Sequence, residues 1–101
     1  MRDISREDLL SELQAMKSDL QRTGVVHIAL FGSRARRDNR RDSDIDLVVE
    51  IDEERKFSML DLIGVAQSIE DKVGAPANLF MRRSLEPSFL AEIGREQMVV
   101  F

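Results

Sequence analysis

The chain has 101 residues, of which 43% are hydrophobic and 34% charged, and its formal net charge is −4 at pH 7. This length fits one compact domain over residues 1–101, and the composition is that of a folded protein rather than a disordered one. The acidic balance argues against general nucleic-acid binding, which usually needs a net basic surface. Cysteine is absent and histidine occurs once, so any metal site must be built from carboxylates.

No apolar run approaches the roughly 20 residues that a membrane-spanning helix needs. The first residues, Met1-Arg2-Asp3, are charged and do not resemble a signal peptide. We therefore expect a cytoplasmic protein that does not enter a membrane, and the sequence leaves an oligomer open.

Apolar periodicity and turn residues predict alternating helices and strands. A capped helix over residues 5–22 precedes a buried strand over 25–31, which is followed by a short helix over 33–37, a polar loop over 38–43 and a strand over 44–51. A helix over 58–73, a strand over 75–81, a helix from 84 to about 95 and a terminal strand over 98–101 follow. The predicted class is α/β (α+β), a small mixed sheet of three to four strands with helices packed against it.

Two aspartates on the second predicted strand carry the main chemical signal. Side chains alternate along a strand, so Asp44 and Asp46 project from one face while Ile45 projects from the other. Paired carboxylates can hold the divalent ions that clamp phosphate oxygens in phosphoryl or nucleotidyl transfer. Because all these ligand atoms are oxygens, the metal would be Mg²⁺ or Mn²⁺.

The pair Gly32-Ser33 ends the first predicted strand and begins a short helix. Gly32 allows a sharp turn with close approach of a ligand, and Ser33 offers a hydroxyl and a backbone N–H to an anion. An isolated Gly-Ser or Asp-x-Asp is a weak signal, but here the two occur together in LFGSRARRDNRRDSDIDLVV. This segment resembles the signature of the nucleotidyltransferase superfamily of DNA polymerase beta, poly(A) polymerases and kanamycin nucleotidyltransferase, with the closest likeness to the minimal nucleotidyltransferases (MNT).

The resemblance extends over nearly the whole chain and implies the nucleotidyltransferase fold. It further implies Mg²⁺-dependent transfer of a nucleoside monophosphate from ATP or another nucleoside triphosphate to an acceptor hydroxyl. Gly32 and Ser33 would hold the β and γ phosphates, while Asp44 and Asp46 would be the metal-binding and catalytic residues. Further candidates for nucleotide contacts are Ser43 and two arginines, Arg34 and Arg36, whose guanidinium groups fit phosphate oxygens.

The sequence departs from the family pattern where a third acidic residue is expected on the third strand. Asn78 occupies that position, and its amide can offer one oxygen to a metal but cannot act as a general base at neutral pH. A second departure is Arg37, where the family commonly has glycine. Arg82 and Arg83 are second-rank candidates for phosphate or acceptor contacts, although arginines after a strand are more often solvated charges.

Small proteins of this type resemble the antitoxin half of HEPN/MNT toxin-antitoxin modules. That resemblance implies ATP as the donor and a HEPN ribonuclease as the partner whose tyrosine accepts AMP. Two alternatives remain open at this point. One is a catalytically silent relative that neutralises its partner by binding alone; the other is a polymerase-like or drug-modifying transferase, which the absence of a substrate domain disfavours.

Overall fold

The computed structural model describes residues 4–101, so the prediction made for Met1-Arg2-Asp3 lies outside the described part of the chain. The helices and strands alternate largely as predicted. Their bounds are α1 Arg6–Ala15, α2 Lys17–Thr23, β1 Val25–Phe31, α3 Ser33–Arg36, β2 Ile45–Ile51, α4 Met59–Val73, β3 Ala77–Met81, a 3₁₀ turn at Arg82–Ser84, α5 Pro87–Glu96 and β4 Met98–Val99.

Within residues 4–101 the strands form one four-stranded sheet in the order β3-β2-β1-β4. Strand β1 is antiparallel to β2 and β4, whereas β2 and β3 are parallel, which confirms the predicted small mixed sheet. The register pairs Phe31 with Asp46 and Asp46 with Asn78, so these residues form one row across β1, β2 and β3. Because β1 ends at this row, Gly32 follows directly beside Asp46.

The two faces of the sheet bury different sets of side chains. One face carries Ile45, Leu47 and Val49 into the main core, where they pack with apolar residues of α1, α2 and α4. The other face packs against α5 through a smaller cluster made of Ala29, Phe31, Val48 and Ile93. Asp46 alternates with Leu47 along β2 and therefore lies on the α5 side, as the period of two predicts.

Helix α4 begins and ends where the sequence predicts, with a cap at each end. Ser58 and Asp61 form a reciprocal capping box, in which the Ser58 hydroxyl accepts a hydrogen bond from the Asp61 N–H and the Asp61 carboxylate accepts one from the Ser58 N–H. Gly74 ends the helix with a φ of 73°, a left-handed conformation that glycine adopts without a steric penalty. The buried residues follow helical spacing and are Leu62, Val65, Ile69 and Val73.

The structure corrects two predicted helix bounds. The helix predicted over 5–22 is broken at Met16, whose N–H donates to the Leu13 carbonyl at 3.0 Å instead of continuing the α-helical ladder. Leu13, Met16 and Leu20 keep helical spacing through the break, so the apolar pattern could not reveal it. The last helix begins at Pro87 rather than at Ser84, because proline suits the first helical position, where its missing N–H is not needed.

Among the helices of residues 4–101, none is both long and apolar enough to cross a membrane.

Candidate active site

Asp44, Asp46 and Asn78 converge at one edge of the sheet. The Asn78 Nδ2 atom donates a hydrogen bond to Asp44 Oδ2 at 3.2 Å and another to Asp46 Oδ1 at 3.1 Å. Two carboxylate oxygens therefore lie within hydrogen-bonding distance of a single atom. The register of β2 and β3 produces this arrangement, because it sets Asn78 level with Asp46. The sequence-based assignment of Asn78 to the place of a third acidic residue fits this geometry.

Gly32 brings the turn after β1 against the Asp46 carboxylate. Its backbone has φ 77° and ψ −159°, a conformation that is essentially restricted to glycine. A Cβ atom at this position would lie 2.5 Å from Asp46 Oδ2, well inside van der Waals contact. The glycine is therefore required twice, once for the shape of the turn and once for its closeness to Asp46.

The turn and the carboxylate share a cleft of about 550 Å³ between the end of β1 and helix α5. From the turn and the sheet, the cleft is lined by Phe31, Gly32, Ser33, Arg36 and Asp46. From α5, the lining residues are Phe89, Glu92, Ile93, Arg95 and Glu96. Among the described residues, none forms a hydrogen bond with the Ser33 hydroxyl. That hydroxyl is therefore free to meet a ligand in the cleft.

Arg36 is held by two carboxylates at the mouth of this cleft. Its Nε atom donates to Asp38 Oδ2 at 3.0 Å, and its Nη1 atom donates to Glu96 Oε2 at 2.9 Å. The hydrogen bond to Asp38, followed by that to Glu96, raises the pKa of Arg36 further above its ordinary value, so the group stays cationic. The hydrogen bond from Arg36 lowers the pKa of Glu96, so Glu96 is ionised at neutral pH.

The prediction that Arg34 contacts the triphosphate does not fit the structure. Its side chain is only 1% exposed and donates to three backbone carbonyl oxygens, those of Ser43 at 3.0 Å, Ile4 at 3.3 Å and Arg41 at 3.3 Å. These bonds fasten the loop over residues 38–43 to α3 and to the chain before α1. Arg34 is therefore a structural residue, which its position next to the Gly-Ser pair did not suggest.

Ser43 also shapes the loop in this structure. Its hydroxyl accepts a hydrogen bond from the Arg40 N–H at 2.8 Å, while its own N–H donates to the Arg40 carbonyl at 3.1 Å. Its predicted contact with nucleotide stays a prediction. Arg40 and Arg41 are exposed, as expected for solvated charges, and Arg37 forms an ion pair with Glu7 of α1.

Arg82 and Arg83, the second-rank candidates, lie away from the cleft. Arg82 forms an ion pair with Glu50 at 3.0 Å, and Arg83 one with Glu53. Glu50 lies near the end of β2 that is far from Asp46, and Glu53 lies just beyond that end. Neither arginine lines the cleft in this structure, so the phosphate or acceptor contacts suggested for them gain no support from it.

The side chains at the edge of the sheet fit a divalent cation bound by two carboxylates. Within residues 4–101, no cluster of three His, Cys, Asp or Glu side chains is arranged to hold a metal. At this edge of the sheet the cluster has only two carboxylates, because Asn78 occupies the place of the third acidic residue. Two carboxylates and an amide oxygen are the types of oxygen ligand that a divalent cation prefers.

Sequence and structure comparisons identify the family. The profile described as "Polymerase beta, Nucleotidyltransferase" matches residues 14–101. The chain belongs to this nucleotidyltransferase family. It is 33% identical over 98 residues to protein adenylyltransferase MntA of Thermococcus cleftensis, an alignment that covers 96% of this chain and 97% of the relative.

Two solved structures share the nucleotidyltransferase fold. One is a proposed minimal nucleotidyltransferase with a TM-score of 0.80 and 32% identity, covering 94% of this chain and 95% of the other. The second contains the tri-AMPylated Shewanella oneidensis HEPN toxin in complex with MNT antitoxin, with a TM-score of 0.66 and 16% identity, covering 92% and 71% respectively. The predicted family and fold are confirmed.

The nucleotidyltransferase signature located most of the cleft but missed Glu96. The structure brings Gly32, Ser33, Arg36 and Asp46 together, as the motif indicates. The Glu96 carboxylate accepts a hydrogen bond from the Gly32 N–H at 3.0 Å across 64 residues of sequence. No local pattern around Glu96 marks this contact, because it depends on how α5 packs on the sheet.

Proposed function

We propose that this nucleotidyltransferase is a Mg²⁺-dependent protein adenylyltransferase, which moves AMP from ATP to a hydroxyl of a HEPN-type toxin and thereby acts as its antitoxin. The observation that carries the proposal is that Asp44 and Asp46 converge on Asn78, while Asp46 also lines the cleft of the Gly32-Ser33 turn. The MntA relative, named a protein adenylyltransferase and matched over nearly its full length, supports the transfer to a protein. The likeness in fold to an MNT antitoxin found with an AMPylated HEPN toxin supports the choice of partner.

In this mechanism the chain mainly positions and neutralises charge. The Gly32-Ser33 turn receives the β and γ phosphates, and Arg36 balances part of their charge. Asp44 and Asp46 would hold a divalent cation, which would supply positive charge against the phosphate oxygens. The acceptor hydroxyl oxygen forms a bond to the α-phosphorus of ATP, the bond from that phosphorus to the bridging oxygen breaks, and pyrophosphate leaves.

The proton of the acceptor hydroxyl needs a base other than residue 78. A neutral amide has no basic lone pair at neutral pH, so Asn78 cannot take the proton. Transfer can still proceed, with the proton passing to water, because much of the rate enhancement in this chemistry comes from positioning and charge stabilisation.

A second candidate function rests on the same residue. Asn78 donates to both carboxylates and so satisfies them without a cation. A chain with this arrangement could bind its partner stoichiometrically and neutralise it without transferring AMP. In that case nucleotide binding would be residual or regulatory.

The test is incubation of the purified chain with α-labelled ATP, Mg²⁺ and the HEPN protein encoded beside its gene. We expect label on the HEPN protein with the wild type and loss of label with Asp44→Ala and with Asp46→Ala. Asp42→Ala is the matched control, because Asp42 is an exposed aspartate two residues before Asp44. This substitution removes one negative charge from the segment just before β2 and should leave the labelling intact.

Asn78→Asp separates the two candidate functions. If the wild type transfers no label and Asn78→Asp does, the chain is a silent relative and the adenylyltransferase proposal is wrong. If both transfer label and the aspartate variant is faster, residue 78 limits the rate but does not abolish the activity. Absence of a HEPN gene beside this one would argue against the antitoxin role while leaving the transferase assay valid with other acceptors.

A further inference from the structure

Glu96 uses both of its carboxylate oxygens on groups at the proposed phosphate turn. Oε1 accepts a hydrogen bond from the Gly32 N–H at 3.0 Å, and Oε2 accepts one from Arg36 Nη1 at 2.9 Å. The first bond fixes the peptide that leads into the turn. The second fixes the guanidinium that lines the same cleft. One side chain therefore links the Gly32 N–H to the Arg36 guanidinium group.

The helix that carries Glu96 is anchored to the sheet near the cleft. Phe89 of α5 meets Phe31 edge to face at a centroid distance of 5.9 Å and meets Phe80 at 6.4 Å. Ile93, one turn before Glu96, is buried in the same cluster. Because Ile93 is buried and Phe89, although 36% exposed, contacts both rings, the last turn of α5 presents Glu96 to the Gly32 turn from a fixed position.

The two carboxylates that bind Arg36 use only some of its hydrogen-bond donors. Asp38 binds its Nε atom and Glu96 binds its Nη1 atom, while the Nη2 donors form no hydrogen bond with the described residues. A guanidinium has five N–H donors in a rigid plane, so the two ionic bonds orient the remaining donors instead of exhausting them. An arginine oriented in advance loses less side-chain entropy when it binds a phosphate.

We propose that Glu96 is a positioning residue for the triphosphate, which sets the Gly32 turn and aims Arg36 before the nucleotide arrives. The inference rests on the proposed function, because it assumes that the cleft receives a triphosphate. It gives a role in binding to a residue of α5, a helix that otherwise only lines the cleft. It also predicts that an acidic side chain beside a polyanion improves binding, which is opposite to the simple electrostatic expectation.

The test compares three variants in the full chain, with ATP and Mg²⁺ as the probe and with AMP as the reference ligand that lacks the β and γ phosphates. Glu96→Ala removes both hydrogen bonds, whereas Glu96→Gln keeps an acceptor for the Gly32 N–H and loses the charge that holds Arg36. Glu92→Gln is the matched control, because Glu92 lines the same cleft one turn earlier on α5. Among the described residues it has no hydrogen-bond or ion-pair partner that its substitution would break.

We expect Glu96→Ala to weaken ATP binding by about tenfold or more, Glu96→Gln to weaken it less, and AMP binding to change little. Glu92→Gln should bind ATP at least as tightly as the wild type, because it removes one negative charge from the cleft. The Gly32 amide resonance should shift in Glu96→Ala and stay closer to its wild-type position in Glu96→Gln.

Three results would overturn the inference. Tighter ATP binding by Glu96→Gln, beyond the gain in Glu92→Gln, would mean that the carboxylate competes with phosphate. Equal losses for ATP and AMP would indicate a general structural role. Unchanged ATP binding in Glu96→Ala would exclude any role at the site. If the wild type itself fails to bind ATP, the proposed function fails first and the inference falls with it, which distinguishes that case from the other three.

Discussion

Replacing Gly32 with alanine should damage both the stability of the protein and its candidate site. The backbone at this position, with φ 77° and ψ −159°, lies in a region that costs a residue with a Cβ atom about 1–3 kcal/mol. The new Cβ would also lie 2.5 Å from Asp46 Oδ2 and 3.3 Å from Asp46 Cβ, so the aspartate or the turn must move. Together these effects predict a loss of about 2–4 kcal/mol in the free energy of unfolding.

Urea denaturation of wild type and Gly32→Ala at neutral pH measures this loss, since chains of this size commonly unfold in two states. Gly64→Ala is the matched control, because Gly64 lies inside α4 and its added Cβ would meet nothing within 4 Å. Alanine should stabilise that helix by up to about 1 kcal/mol. Equal unfolding midpoints for Gly32→Ala and the wild type would refute the reasoning about the turn and its closeness to Asp46.

Three further substitutions test other contacts of the candidate site. Arg34→Ala should lower the free energy of unfolding by roughly 3 kcal/mol or more, because it leaves three carbonyl acceptors without their charged donor; an unchanged thermal midpoint would contradict the structural role. Arg37→Gly should be neutral or stabilising by up to about 1 kcal/mol in urea denaturation, since Arg37 has a φ of 65° and its ion pair is exposed; a clear destabilisation would count against this. The lowered pKa of Glu96 contributes stability that is full above its ordinary value of 4.5 and is lost as the pH falls through the lower folded value. The free energy of unfolding should therefore fall less steeply with decreasing pH below 4.5 in Glu96→Gln than in the wild type. Parallel curves for the two proteins would exclude this contribution of Glu96.

The strands and the site that they carry could be predicted because they depend on short-range patterns. The apolar run before Gly32 predicted β1, and the alternation around Asp46 predicted which face of β2 carries the carboxylates. Both features follow from the period of two in a strand and from the conformational freedom of glycine. Asn78 could be assigned to the place of the third acidic residue because the resemblance to nucleotidyltransferases puts such a residue on the third strand.

The contacts that could not be predicted are those decided by packing between distant segments. The position of Arg34 next to the Gly-Ser pair suggested phosphate binding, but burial under the loop turned its donors toward carbonyl oxygens. The break at Met16 leaves the apolar spacing intact, so periodicity cannot detect it. Glu96 is far from the motif in sequence and reaches Gly32 because the packing of Phe89 and Ile93 holds α5 on the sheet.

Asn78 affects both the stability of the metal-free site and the chemistry proposed for it. A third carboxylate between Asp44 and Asp46 would place like charges together, and such a group needs a cation or a proton to be stable. An amide at the same point donates a hydrogen bond to each aspartate and removes that need. The same amide can offer a cation only its neutral oxygen, so it should bind a divalent ion less strongly than a carboxylate would. The sheet edge therefore needs no metal ion to balance a third negative charge. The proposed transfer, which has no base at residue 78, would depend all the more on how well the Gly32-Ser33 turn, Arg36 and Glu96 position the triphosphate.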